Sequence, residues 1–257
     1  MRQAFAYMTV LAMLAATPAR AEDGFRFEVK AAQQPCVTGI KGDICHHFFE
    51  KDKFRVSFIP GPVTVNGGCP RLTAELVQLS TRLEAPLQDA VAPAESDICK
   101  PRDFEVELPA LENETEFEVV FRQEGKDLQT IALKAYPLTL LDGVKSWAEF
   151  KGNALIVKDR EGRLADFLDR HKVAYQSQDV AARDGRKLYI VTGKDAEDVE
   201  GDAIYLREKV DTFPLVKIRQ TAQGTSVNVK TKLLEALSAD DPLAQKTFVE
   251  IFNEIAK

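Results

Sequence analysis

The chain has one tryptophan, three histidines and four cysteines in 257 residues, and none of those cysteines lies in the second half. Histidine and cysteine supply most metal ligands and nucleophile–base pairs, so this scarcity leaves little room for either chemistry. No apolar run approaches the roughly 20 residues that a membrane-spanning helix needs. Basic residues are outnumbered, 34 against 40 acidic, which argues against a phosphate-binding face for nucleic acid. Glycine and proline, at 14 and 12, are too few for collagen-like or low-complexity sequence. No G-x-S-x-G elbow, three-glycine dinucleotide fingerprint or G-x-x-x-x-G-K-[ST] loop appears. No cofactor is therefore expected.

The first 21 residues read as a removable secretory leader. Arg2 gives the positive start, Ala4 to Ala16 is apolar and uncharged, and Ala19-Arg20-Ala21 fits the small-x-small cleavage pattern. Cleavage near Ala21 leaves 32 basic against 40 acidic residues, and places the protein in the periplasm or outside the cell. An even number of cysteines in an exported chain favours disulfides over metal ligation. Cys36, Cys45, Cys69 and Cys99 allow three connectivities, and the short-loop pairing Cys36–Cys45 with Cys69–Cys99 is favoured. Cys45-His46-His47 offers zinc or copper ligands but lacks a second cluster, so surface histidines beside a disulfide are expected.

Two periodicities divide the rest. From 22 to 137 the chain alternates with period two: Phe25 to Val29, Phe54 to Phe58, Val63 and Val65, Val77 to Leu83, Phe104 to Leu108, Phe117 to Phe121 and Leu128 to Ala135. Seven short strands suit a two-sheet sandwich. Glu112, Glu114, Glu116 and Glu118 alternate with this pattern as the solvated face of a strand. From 138 to 257 strands and helices alternate, predicting an α/β domain with a mainly parallel sheet. Helix faces are Leu141/Val144/Trp147/Ala148 and Leu164/Phe167/Leu168; strand-like runs are Ala154–Val157, Val173–Tyr175, Leu188–Val191, Ala203–Leu206, Leu215–Ile218 and Val227–Val229. A last helix starts with Asp241 as N-cap and Pro242 behind it, and carries a stripe of Phe248, Ile251, Phe252 and Ile255. His171 closes the helix before it, where its partial positive charge suits the helix dipole.

Leu108-Pro109-Ala110-Leu111 through Thr115-Glu116-Phe117 resembles the corner between strands E and F of immunoglobulin-like and fibronectin type III-like sandwiches. That resemblance implies inward Leu108 and Leu111, with Phe117 where those domains commonly carry tyrosine. Ala154 to Asp159, Gly162-Arg163-Leu164 and Val227-Asn228-Val229 before Leu233–Leu237 resemble α/β domains related to class I glutamine amidotransferases that have lost catalysis. The family's nucleophilic cysteine has no counterpart here, so the resemblance implies scaffolding and no carried-over chemistry.

In an open α/β sheet a ligand sits beyond the carboxyl ends of the strands. Asp159, Arg160 and Arg163 follow the first strand there, and Thr192, Lys194 and Asp195 follow the third; Arg207 follows the next. The expected function is a non-catalytic exported accessory or scaffold protein that binds a protein partner, with Leu128–Ala135 as a candidate edge for strand addition. The alternatives are a small-ligand receptor using that crevice, and a hydrolase using carboxylates such as Asp159.

Overall fold

Alternating residues form strands because successive side chains point to opposite faces of the backbone. The structure, a computed structural model, describes residues 26–30, 46–59, 72–89, 101–123, 125–177, 186–193, 199–207, 216–230 and 232–256. It is strand-rich, with three sheets that mix parallel and antiparallel pairing. The four cysteines, Lys194, Asp195 and the expected strand at Val63 and Val65 lie outside the described residues.

The first sheet orders β1 (Arg26–Lys30), β3 (Lys53–Ile59), β7 (Arg102–Glu107) and β6 (Gln88–Asp89), all antiparallel. The second orders β2 (His46–Phe49), β9 (Lys126–Tyr136), β8 (Thr115–Gln123), β4 (Leu72–Gln78) and β5 (Leu83–Pro86). Only β2 runs parallel to its neighbour in that sheet. Both sheets contribute to one apolar cluster: Val56, Phe104 and Val106 from the first, Val119, Phe121 and Leu133 from the second. Phe48 and Phe54 stack with centroids 4.0 Å apart, and Phe121 meets Phe104 edge-on. Leu108 is buried and Leu111 half-buried against this cluster before β8 begins at Thr115.

The third sheet orders β10 (Ala154–Lys158), β11 (Lys187–Thr192), β12 (Asp202–Leu206), β14 (Gly224–Val229) and β13 (Val216–Thr221). The first three pairings are parallel, while β13 and β14 form an antiparallel hairpin. Leu155, Val157, Leu188, Ile190, Ile204, Leu206, Val227 and Val229 form one face. Against it pack α1 (Asp142–Glu149), α2 (Arg163–Arg170), α3 (Leu233–Ser238) and α4 (Pro242–Ala256), all four described helices. Ala154, Ile156, Tyr189, Val191, Ala203 and Tyr205 form a separate cluster on the opposite face. Asp241 caps α4, its Oδ1 accepting the Ala244 N–H at 2.8 Å. Among the described residues no helix is long and apolar enough to cross a membrane.

Several expectations change. The run Val77–Leu83 is broken by a turn over residues 79–82, with Arg82 at φ 57°, so period two persisted by coincidence through a hairpin. Nine strands are described before Pro137: six answer expected runs, β5 is the second half of the broken one, and β2 and β6, at four and two residues, are too short to show a period. Val173–Tyr175 is not a strand: Val173 is drawn into the helical core, and only Gln176 bridges β10. Leu128–Ala135 is not an edge along its length. It pairs with β8 from Gln129 to Ala135, with a bulge at Leu128, and Leu133 to Tyr136 pairs with β2 on the other side, so only the stretch before Leu133 keeps one side open among the described residues.

Candidate functional site

Asp159 follows β10 directly, at the carboxyl end of the parallel strands. Gly162, at φ 77°, lets the chain double back so that α2 begins above that carboxylate. Asp159 Oδ2 then accepts the Leu164 and Ala165 N–H groups at 2.6 and 3.2 Å. Its Oδ1 accepts the Glu161 N–H at 3.2 Å and the Thr192 hydroxyl at 2.8 Å. The first turn of α2 thus has its orphan donors answered from the preceding strand rather than from Gly162. Burial works to raise the Asp159 pKa, but the Thr192 hydroxyl and the three backbone donors outweigh it and hold it below the usual value. A general base needs free lone pairs and a pKa near the working pH. Asp159 has neither.

Most of the neighbours are engaged as well. Arg163 Nη2 donates to Glu161 at 2.6 Å, and Arg160 is exposed. Thr192 is 8% exposed and turned to Asp159. The Arg207 guanidinium lies 5.3 Å from the Tyr205 ring. The structure therefore brings Asp159 and Thr192 together, while Arg163 pairs within its own loop. Asp159→Ala removes a helix cap and strands the nearly buried Thr192 hydroxyl, so it is expected to cost about 2 kcal/mol. A urea midpoint unchanged in Asp159→Ala would show that the carboxylate does not hold the turn.

A second polar cluster, which no sequence motif announces, lies where residues before and after Pro137 meet. Glu50, 8% exposed, accepts the Leu138 N–H on Oε1 at 2.9 Å and the Leu111 N–H on Oε2 at 2.8 Å. These two N–H groups hold its carboxyl below the usual range. Beside it the buried Tyr136 hydroxyl meets His47 Nδ1 at 3.1 Å. Burial, then the charges of Glu114, Glu250, Asp241 and Glu116, push the Tyr136 pKa up. His46 and His47 are half-buried on β2 rather than on the open surface, and burial first, then His47, lowers the His46 pKa. Glu114 pairs with Lys134 of β9 and, at 3.1 Å, with Lys246 of α4. The expected solvated glutamate face is thus partly engaged across this junction. His171 does more than close its helix, since its Nε2 meets Asp240 Oδ1 at 2.9 Å.

Of the sheets' terminal strands, β5 and β13 stand exposed along their whole length among the described residues. Every residue of β5 and of β13 is exposed, including Leu83 at 67%, Val216 at 40% and Ile218 at 55%. Near β5 a groove of about 570 Å³ has Phe54, Leu76, Leu87 and Val106 in its lining. The pairs Lys53–Glu107 and Arg55–Glu105 stand beside it.

No family model matches the sequence, and no curated protein matches it. Among solved structures, the chain is similar to a sialyltransferase from Photobacterium damsela at 9% identity and TM-score 0.20, over 57% of this chain and 26% of that one. It is also similar to a family 39 glycoside hydrolase from Bacteroides cellulosilyticus at 11% identity and TM-score 0.25, over 63% of this chain and 32% of that one. The chain thus matches about a quarter to a third of the length of those proteins. Overlaps this slight carry no argument about activity.

Proposed function

We propose that this chain is an exported, non-catalytic accessory protein that binds a protein partner outside the cytoplasm. On this reading residues 1–21 are a leader removed before the protein acts. Residues 22–137 are an immunoglobulin-like sandwich stapled by its cysteines, and 138–257 are an α/β scaffold. The observation that carries the reading is the occupation of Asp159 by four internal donors. The crevice that would serve a ligand or a hydrolytic step uses its main acid to hold the fold, whereas two strand edges are open to a partner.

In-compartment crosslinking followed by affinity recovery and mass spectrometry tests this reading. A single stoichiometric partner from the extracytoplasmic fraction is the expected result. A monomer that recovers nothing specific would overturn it.

A further inference from the structure

The stretch from Thr212 to Leu234 contains Lys217, Arg219, Lys230 and Lys232 and no acidic residue, in a chain whose net charge is −6. Its exposed strand is β13, at the end of the third sheet. Val216 and Ile218 stand opposite Val229 and Val227, so they extend the apolar, helix-covered face past the last buried row. Lys217 and Arg219 stand opposite Asn228 and Ser226 on the other face. Among the described residues neither cation makes an ion pair, and only β14 pairs with β13. Among the described residues the strand therefore presents an unpaired backbone edge with aliphatic groups on one face and two cations on the other.

We propose that β13 is a strand-addition edge whose occupant is an extended polypeptide segment alternating acidic and aliphatic residues. The inference rests on the partner-binding reading above and deepens it. Residues directly opposite in a sheet share a face, so the occupant's carboxylates would lie beside Lys217 and Arg219 and its aliphatic groups beside Val216 and Ile218. The same rule argues against a second copy of this chain. Antiparallel self-pairing about a two-fold axis keeps each face with itself. Every register that overlaps the strand centre then sets Lys217 or Arg219 against Lys217 or Arg219, which is repulsive.

The probe is an acetylated octapeptide alternating glutamate and valine, added to the full chain and followed by fluorescence anisotropy and amide hydrogen exchange. The expected result is binding that weakens with salt, with slowed exchange confined to 216–221. A lysine–valine octapeptide should bind at least about tenfold more weakly. Charge reversal in K217E/R219E should weaken the acidic peptide about tenfold and favour the basic one, at an unchanged thermal midpoint. K217Q/R219Q should fall between them. No protection at 216–221, indifference to the charge reversal, or concentration-dependent protection without peptide would each overturn the proposal. A crosslinked partner recovered in full by K217E/R219E would overturn this edge and leave the accessory reading standing. Absence of any partner would instead remove the accessory reading, with the peptide result deciding the edge.

Discussion

Replacing Glu50 with alanine is expected to destabilise the protein by about 3 kcal/mol, because two backbone N–H groups lose a charged acceptor at once. Those donors belong to the corner before β8 and to the segment after β9, and Glu50 itself follows β2. Hydrogen exchange at Leu111 and Leu138 should accelerate together in the variant. Glu50→Gln retains one acceptor oxygen and should lose about half as much. The pH dependence follows from the sign of the shift. Glu50 has a depressed folded pKa, so its contribution is fully present above the unfolded value of about 4.3 and is lost as pH falls through the folded one. Urea midpoints of the native protein and Glu50→Gln should therefore converge as pH falls below the unfolded value of about 4.3 and through the depressed folded pKa. Asp52, pushed up by burial although it accepts the Phe49 N–H, titrates in both proteins and cancels. Equal midpoints at pH 7 would show that Glu50 does not fasten the three segments.

Gly224→Ala should be similarly costly, at about 3 kcal/mol, for a steric reason. Gly224 opens β14 at φ 148°, and a Cβ there would stand 2.6 Å from the Gly201 carbonyl carbon and 2.9 Å from the Asp202 nitrogen. Both obstacles are backbone at the entry to β12, so no side chain can swing aside. The Thr225 N–H bond to Asp202 Oδ1, 2.8 Å long, is made at the same spot and should weaken with it. Gly143 is the control. It lies in α1 with nothing within 4 Å of an added Cβ, and Gly143→Ala should stabilise by about 0.5 kcal/mol through helix propensity. A Gly224→Ala midpoint no lower than that of the native chain would mean that β12 and β14 do not approach so closely.

How much of this was legible depended on whether a residue's partner was near in sequence. Val56 and Phe58, Phe104 and Val106, and Leu164 with Phe167 and Leu168 announce their elements because burial imposes a short period on neighbours. Asp241 announced its cap for the same reason. Glu50 did not, since its partners are 61 and 88 residues away. Asp159 was singled out by position alone, and its role as a distant cap depends on Gly162 turning the chain. The hairpin of β13 and β14 was visible only as two separate runs, because the turn at Ala222 and Gln223 carries no strong turn pair. The expected edge at Leu128–Ala135 is covered from Leu133 onward by β2, which, at four residues long, has no period to read.

The order of β14 between β12 and β13 also sets a sequence of events in time. The hairpin 216–229 closes over a two-residue turn and can form on the microsecond scale, as local hairpins do. The pairing of β12 with β14 must wait until the intervening chain has been gathered in, and parallel pairings of this kind are slow. The edge of the third sheet is then expected to assemble by docking of a preformed ribbon, with Gly224 landing against Gly201. A defect at Gly224, which also closes the hairpin opposite Thr221, should accordingly slow both the ribbon's closure and its docking.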